Sequence, residues 1–270
     1  MPETLFILLA GGIMLAAAIS DPKQVTLRWL RLAGIIALTM CGLAWVFYGF
    51  GERDIATGSV LLRRIQVGLF VVTGLMVLGQ LSFVQVAWRR TQRAFAAGAF
   101  VVAVLAGCNV LHEMMAAQGT AVRFPPKVLS MSLQTFACAG VAAMTGLALM
   151  DMLLGHAYLT ASQMTMRPFA RLNLALAGVL VVRAIGAVAG VLVLQRWRPL
   201  EMLWGLHGLM MITRWLVGLA VPAVFVYMAH DCIKRRSTQA ATGILYVAGV
   251  LVFIGEIVAL YLVRVSGLPF

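Results

Sequence analysis

Eight long apolar stretches, separated by short polar connections, run through the chain from end to end. They lie near residues 4–20, 28–49, 65–88, 94–115, 131–155, 171–195, 205–229 and 241–264. Each is close to the roughly 20 mostly apolar residues that a helix needs to cross a hydrocarbon layer about 30 Å thick. The pattern predicts an all-α fold: a polytopic membrane bundle of about eight transmembrane helices, forming one transmembrane domain over 1–270. Too little chain remains for a separate soluble domain. The first stretch has the length of a secretory leader and ends on Ala16-Ala17-Ala18-Ile19-Ser20. A leader opens with positive charge, whereas only Glu3 precedes Leu5, so this stretch is read as a retained first helix.

Composition agrees with the periodic reading. Of 270 residues, 62% are hydrophobic and 11% charged, where a soluble domain would be about a quarter charged. A net charge of +12 would, taken alone, suggest nucleic acid as a partner. Its distribution points to a lipid surface instead. Lys23, Arg28, Arg31, Arg89, Arg90, Arg93, Arg167, Arg171, Lys234, Arg235 and Arg236 fall in alternate connections, 11 in all. The other connections hold 7: Arg53, Arg63, Arg64, Arg123, Lys127, Arg196 and Arg198. The richer set marks the cytoplasmic face, which puts both termini outside the cytoplasm of a bacterial inner membrane. Anionic headgroups then account for the basic loops without nucleic acid. Cys41, Cys108, Cys138 and Cys232 form no Cys-x-x-Cys pair, so no zinc or redox motif is supported.

The chain also resembles itself. Gln24-Val25-Thr26-Leu27-Arg28-Trp29-Leu30-Arg31-Leu32 matches Gln163-Met164-Thr165-Met166-Arg167-Pro168-Phe169-Ala170-Arg171-Leu172 with one insertion. Arg89-Arg90-Thr91-Gln92-Arg93-Ala94 matches Arg235-Arg236-Ser237-Thr238-Gln239-Ala240. The offsets are 139 and about 147. Spans 1–4 and 5–8 therefore read as repeat halves, approximately 1–125 and 126–270, and an even number of spans per half makes the repeat parallel. Gly186 and Gly190 on span 6, with Gly178 on the same helix, are candidates for close helix approach. Pro222 should bend span 7. Trp29, Trp45, Trp88, Trp197 and Trp204 fall near span ends, where amphipathic rings favour the interface.

Ionisable groups inside a span are costly, so each is a candidate for function. They are His112 and Glu113 on span 4, Asp151 and His156 on span 5, Arg183 on span 6, His207 and Arg214 on span 7, and Glu256 on span 8; His230 ends span 7. Arg183, Arg214 and Glu256 fall at similar depth. Two cations against one carboxylate leave positive charge in low dielectric, which needs an anion, a cofactor carboxylate or water. The alternative is that Asp151 and Glu113 complete a structural network. His207, Met211, Arg214 and Gly218 share one helix face, expected to point inward.

The histidines also pair by depth: His112 with His207 near the outer ends, and His156 with His230 near the inner ends. Two imidazoles facing across a bundle are the usual way to hold haem b. His207 and His230 stand about 35 Å apart along one helix, so both pairs cannot be deep. The outer pair is preferred, because Gly107 and Gly208 leave room and Arg214 could meet a propionate. Met114, Met115, Met150, Met152, Met210 and Met211 neighbour several of these groups, and thioether with imidazole suits copper; Met is also a common gap filler.

Three functions stay open. The first is a membrane subunit of a redox or respiratory assembly, partnered by other membrane subunits and binding haem b or quinone through His112, His207, Arg183 and Arg214, with His156 and His230 as weaker ligands. The second is a transporter or channel for a small anion or metal. The third is a ligand-free assembly subunit.

Overall fold

The computed structural model describes residues 1–50, 60–86, 88–117, 127–160, 165–197 and 206–266. Among these residues, eight helices are long and apolar enough to span a membrane, as the hydrophobic pattern predicts. They are α1 (Pro2–Ile19), α2 (Leu27–Phe50), α3 (Val60–Val86), α4 (Arg89–Ala117), α5 (Lys127–Thr160) and α6 (Arg167–Trp197). The seventh, α7, runs Leu206–Trp215, passes through a π-helical turn at Leu216–Ala220 and continues as Val221–Lys234; α8 is Thr238–Ser266. The chain is a multi-pass membrane protein. Apolar side chains such as Val181, Val182, Ile185 and Leu192 lie exposed on the bundle surface, where a lipid solvent would meet them.

Helices α1 and α5 form the centre. The buried shares of the spans run 67, 33, 28 and 44% for α1–α4, and 72, 28, 33 and 44% for α5–α8. The cause is visible in the sequence. Both central helices are dense in small residues: Ala10, Gly11, Gly12, Ala16 and Ala17 on one, Ala137, Gly140, Ala142, Ala143 and Gly146 on the other. Small side chains let helix backbones approach closely in lipid, where dispersion contacts replace the hydrophobic effect as the driving force. Gly12 and Gly146 take this to its limit, since a Cβ on either would overlap the other helix's backbone. Around this seam each half has the same neighbours: α1 packs on α2 and α4 as α5 packs on α6 and α8, and α3 joins α4 as α7 joins α8.

Three packing expectations change. Gly178 meets no neighbour, and the space beside Gly186 receives the Phe136 ring, 2.6 Å from where a Cβ would sit. The close backbone approaches are instead Gly12 with Gly146 and Gly218 with Gly255; small-residue spacing on one helix cannot reveal which partner comes near. Pro222 acts through the π turn before it: the Val221 N–H reaches back five residues to the Leu216 carbonyl, which shifts the bonding register ahead of the residue that lacks an N–H. Of the tryptophans, Trp45 and Trp88 are exposed but Trp29 is buried in the core; Trp197 has no described side chain and Trp204 lies outside the described residues.

Successive spans run in opposite directions, so the connections α1–α2, α3–α4, α5–α6 and α7–α8 share one side of the bundle, the basic face, and the first residues of α1 and the last of α8 lie on the other. The turns into α4 and α8 close alike, Trp88 N–H to the Phe83 carbonyl (3.2 Å) and Ser237 N–H to the Cys232 carbonyl (2.9 Å).

Candidate functional site: a buried arginine pair on one glutamate

Helices α6, α7 and α8 each deliver one charged side chain to the same point. Arg183 Nη2 donates to Glu256 Oε2 at 2.6 Å and Nε to Oε1 at 3.4 Å. Arg214 Nη1 lies 2.9 Å from Glu256 Oε1, an ion pair, although that N–H is not aligned for a hydrogen bond. Arg183, Arg214 and Glu256 are all buried, at 1%, 0% and 0% exposure. Two guanidiniums share one carboxylate in the buried interior, so the cluster keeps one net positive charge. Arg214 Nε and Nη2 have no hydrogen-bond partner among the described residues. Buried donors without acceptors are rare, and each carries a desolvation cost of about 1–3 kcal/mol, more when charged.

The surroundings are shaped to admit these long side chains. Gly140 on α5 leaves the space that the Arg183 side chain fills. Gly218 and Gly255 bring α7 and α8 together beside the Arg214 guanidinium, whose Nη1 stands 3.1 and 3.3 Å from where their Cβ atoms would be. The π turn begins two residues after Arg214, and such turns recur at functional sites. Arg214 and Gly218 are buried and Met211 half-buried, so this face of α7 points inward as its spacing predicts.

No protein family, curated protein or solved structure matches this chain.

The remaining ionisable groups go elsewhere. Asp151 accepts from Asn173 Nδ2 at 3.2 Å, and Glu113 accepts from Tyr48 (3.4 Å) and Asn109 (3.4 Å). Asp151 thus makes no ion pair with either arginine, and the network in which it would neutralise them is not formed. His112 and His156 are exposed, and His230 is half-buried with an unpartnered Nδ1. His207 stands in the first turn of α7, but its side chain lies outside the described residues. The room expected at Gly107 is taken by Leu8, 2.5 Å from where a Cβ would sit. Among the described residues no three His, Cys, Asp or Glu side chains group as a metal site. Met150 is buried in the core, while Met115 is buried and accepts a bond from Gln134.

The last two turns of α5, Leu154-Gly155-His156-Ala157-Tyr158-Leu159-Thr160, are held by packing and one hydrogen bond. Tyr158 stacks on Phe169 at 5.2 Å and its hydroxyl donates to the Thr165 carbonyl, which fastens the α5–α6 turn. Gly155 makes way for Thr242 and Phe169.

The residues that a charge-based search passes over are neutral: Tyr48, Gln66, Asn109 and Asn173. Each is a polar side chain inside an apolar span, which is the signal that could have found them.

Proposed function

We propose that this membrane protein binds a small anion, a carboxylate or an inorganic monoanion, between α6, α7 and α8, and serves as a transporter or channel for it. The observation that carries this reading is Arg214: fully buried, with Nε and Nη2 unpartnered, in a cluster with one positive charge to spare. A planar carboxylate matches two guanidinium N–H groups at once, and each charge-assisted bond contributes about 1.5–3 kcal/mol. The reading as a haem b or quinone subunit of a redox assembly has weaker support, because His112 is exposed and Leu8 fills the space at Gly107. The same reading of the chain places it in an inner membrane with the basic face cytoplasmic, and takes its halves as a parallel duplication.

Thermal unfolding of the purified protein, titrated with acetate, chloride or phosphate at constant ionic strength, tests the proposal. A ligand at about a hundred times its Kd stabilises by roughly 2.7 kcal/mol. We expect at least one of these anions to raise Tm, and Arg214→Gln to abolish the rise. No response to any of the three in the wild type, or an undiminished response in the variant, would overturn the reading. A Soret band in the purified protein would restore the haem reading in its place.

A further inference from the structure

A second buried group lies one level closer to the basic face. Asp151 on α5 and Asn173 on α6 are both fully buried, at 0% exposure. One hydrogen bond joins them, from Asn173 Nδ2 to Asp151 Oδ2 at 3.2 Å. The two remaining side-chain oxygens, Asp151 Oδ1 and Asn173 Oδ1, have no partner. Both can only accept as long as Asp151 is ionised. An ionised pair would therefore leave two orphaned oxygens and a full negative charge in the protein interior, the costliest state for any of these groups.

One proton resolves all of it. A carboxylic acid is also a donor, so protonated Asp151 offers Asn173 Oδ1 the hydrogen it lacks and loses its charge. The acid and the amide then pair reciprocally, each donating once and accepting once. We propose that Asp151 and Asn173 form a buried proton-binding site, with Asp151 carrying the proton at rest. The site does not depend on the anion reading.

Among the described residues no ion pair engages Asp151, whose bonding partner is Asn173. Asp151 is 11 residues from Gly140, the position that faces Arg183, or about 16 Å along α5. Asn173 is likewise 10 residues, about 15 Å, from Arg183 on α6. Arg183 and Glu256, from α6 and α8, are bound to each other. Glu3 on α1 and Glu113 on α4 stand toward the opposite face of the bundle, and Arg171 on α6 and His156 on α5 are exposed. A fully buried acid without a basic partner, inside a membrane bundle, is the group from which proton relays are built. Asn173 holds it in place and accepts its proton in the hydrogen bond.

Infrared spectroscopy of the full-length protein in lipid, in H2O and D2O, reads the proton directly. We expect a protonated-carboxyl C=O band at neutral pH that shifts on deuteration, vanishes in Asp151→Asn, and changes frequency in Asn173→Leu, where the amide partner is lost. Absence of the band in the wild type would overturn the proposal, as would its persistence in Asp151→Asn. If Asp151→Asn does not yield folded protein, Asn173→Leu decides: a band unmoved by that change belongs to another carboxyl. Bleaching of the band by sodium at fixed pH would assign the site to a metal cation instead, and would equally overturn the proposal.

Discussion

The two halves of the bundle put polar groups on corresponding helices and do opposite things with them. In the second half, Glu256 on α8 binds Arg214 on α7 and Arg183 on α6. In the first half, Asn109 on α4 donates to Gln66 on α3 at 2.8 Å, and one turn further along α4 Glu113 accepts from Tyr48 on α2. Gln66 and Arg214 are 148 positions apart, and Asn109 and Glu256 are 147 apart. That is the offset at which the loops before α4 and α8 resemble one another. The scaffolds agree, and the chemistry does not. The amide pair leaves Gln66 Nε2 without a hydrogen-bond partner but carries no charge, whereas two guanidiniums on one carboxylate cannot be neutral without a further anion. The difference teaches where to look for function: in the half where buried charge is left over.

The comparison predicts unequal sensitivity to mutation. Glu256→Gln should have the largest effect, because it strands two buried guanidiniums; losing one partner of a buried ion pair costs about 3–5 kcal/mol. Unfolding in mild detergent would measure it, and a loss under about 1 kcal/mol would mean that the cluster is already hydrated. Asn109→Leu should cost less, about 1–3 kcal/mol, since it strands the Gln66 carbonyl oxygen. Glu113→Gln should cost about 1 kcal/mol, because its single amide oxygen can keep only one of the two bonds, Tyr48 to Oε2 or Asn109 to Oε1. A smaller loss than for Asn109→Leu is expected for the double change Gln66→Leu with Asn109→Leu, which leaves no stranded Gln66 oxygen but still gives up the Asn109 bond to Glu113. Replacing both partners of a buried hydrogen bond by apolar groups of similar size is close to neutral, so the double variant should be more stable than Asn109→Leu alone. If it is less stable, Gln66 has a role beyond its bond to Asn109. The anion response, by contrast, should survive all the first-half changes.

The helices could be read from the sequence because each span is a local property. About 20 successive apolar residues are sufficient for a bilayer helix whatever its neighbours do. The membrane class, the eight spans and the inventory of ionisable groups within them follow from that. So does the inward face of α7, which depends only on the spacing of Met211, Arg214 and Gly218 along one helix. The surplus of positive charge at Arg183, Arg214 and Glu256 was also legible, as a matter of depth.

Partnership was not legible, and tertiary structure alone decided it. Arg183 and Glu256 are 73 residues apart, and whether they meet depends on how α6 and α8 rotate and how closely they pack. In lipid that is set by small residues, and a glycine names no partner: Gly186 receives a phenylalanine ring, while Gly218 receives the backbone at Gly255. The same freedom sent Asp151 to Asn173 and away from the arginines, and let Leu8 fill the room at Gly107. Hydrophobicity is summed along a chain, but hydrogen bonds are made across space between helices. The sequence by itself determined which groups must be satisfied in the membrane; only the packing of α5–α8 determined that Arg214 and Asp151 are left incomplete.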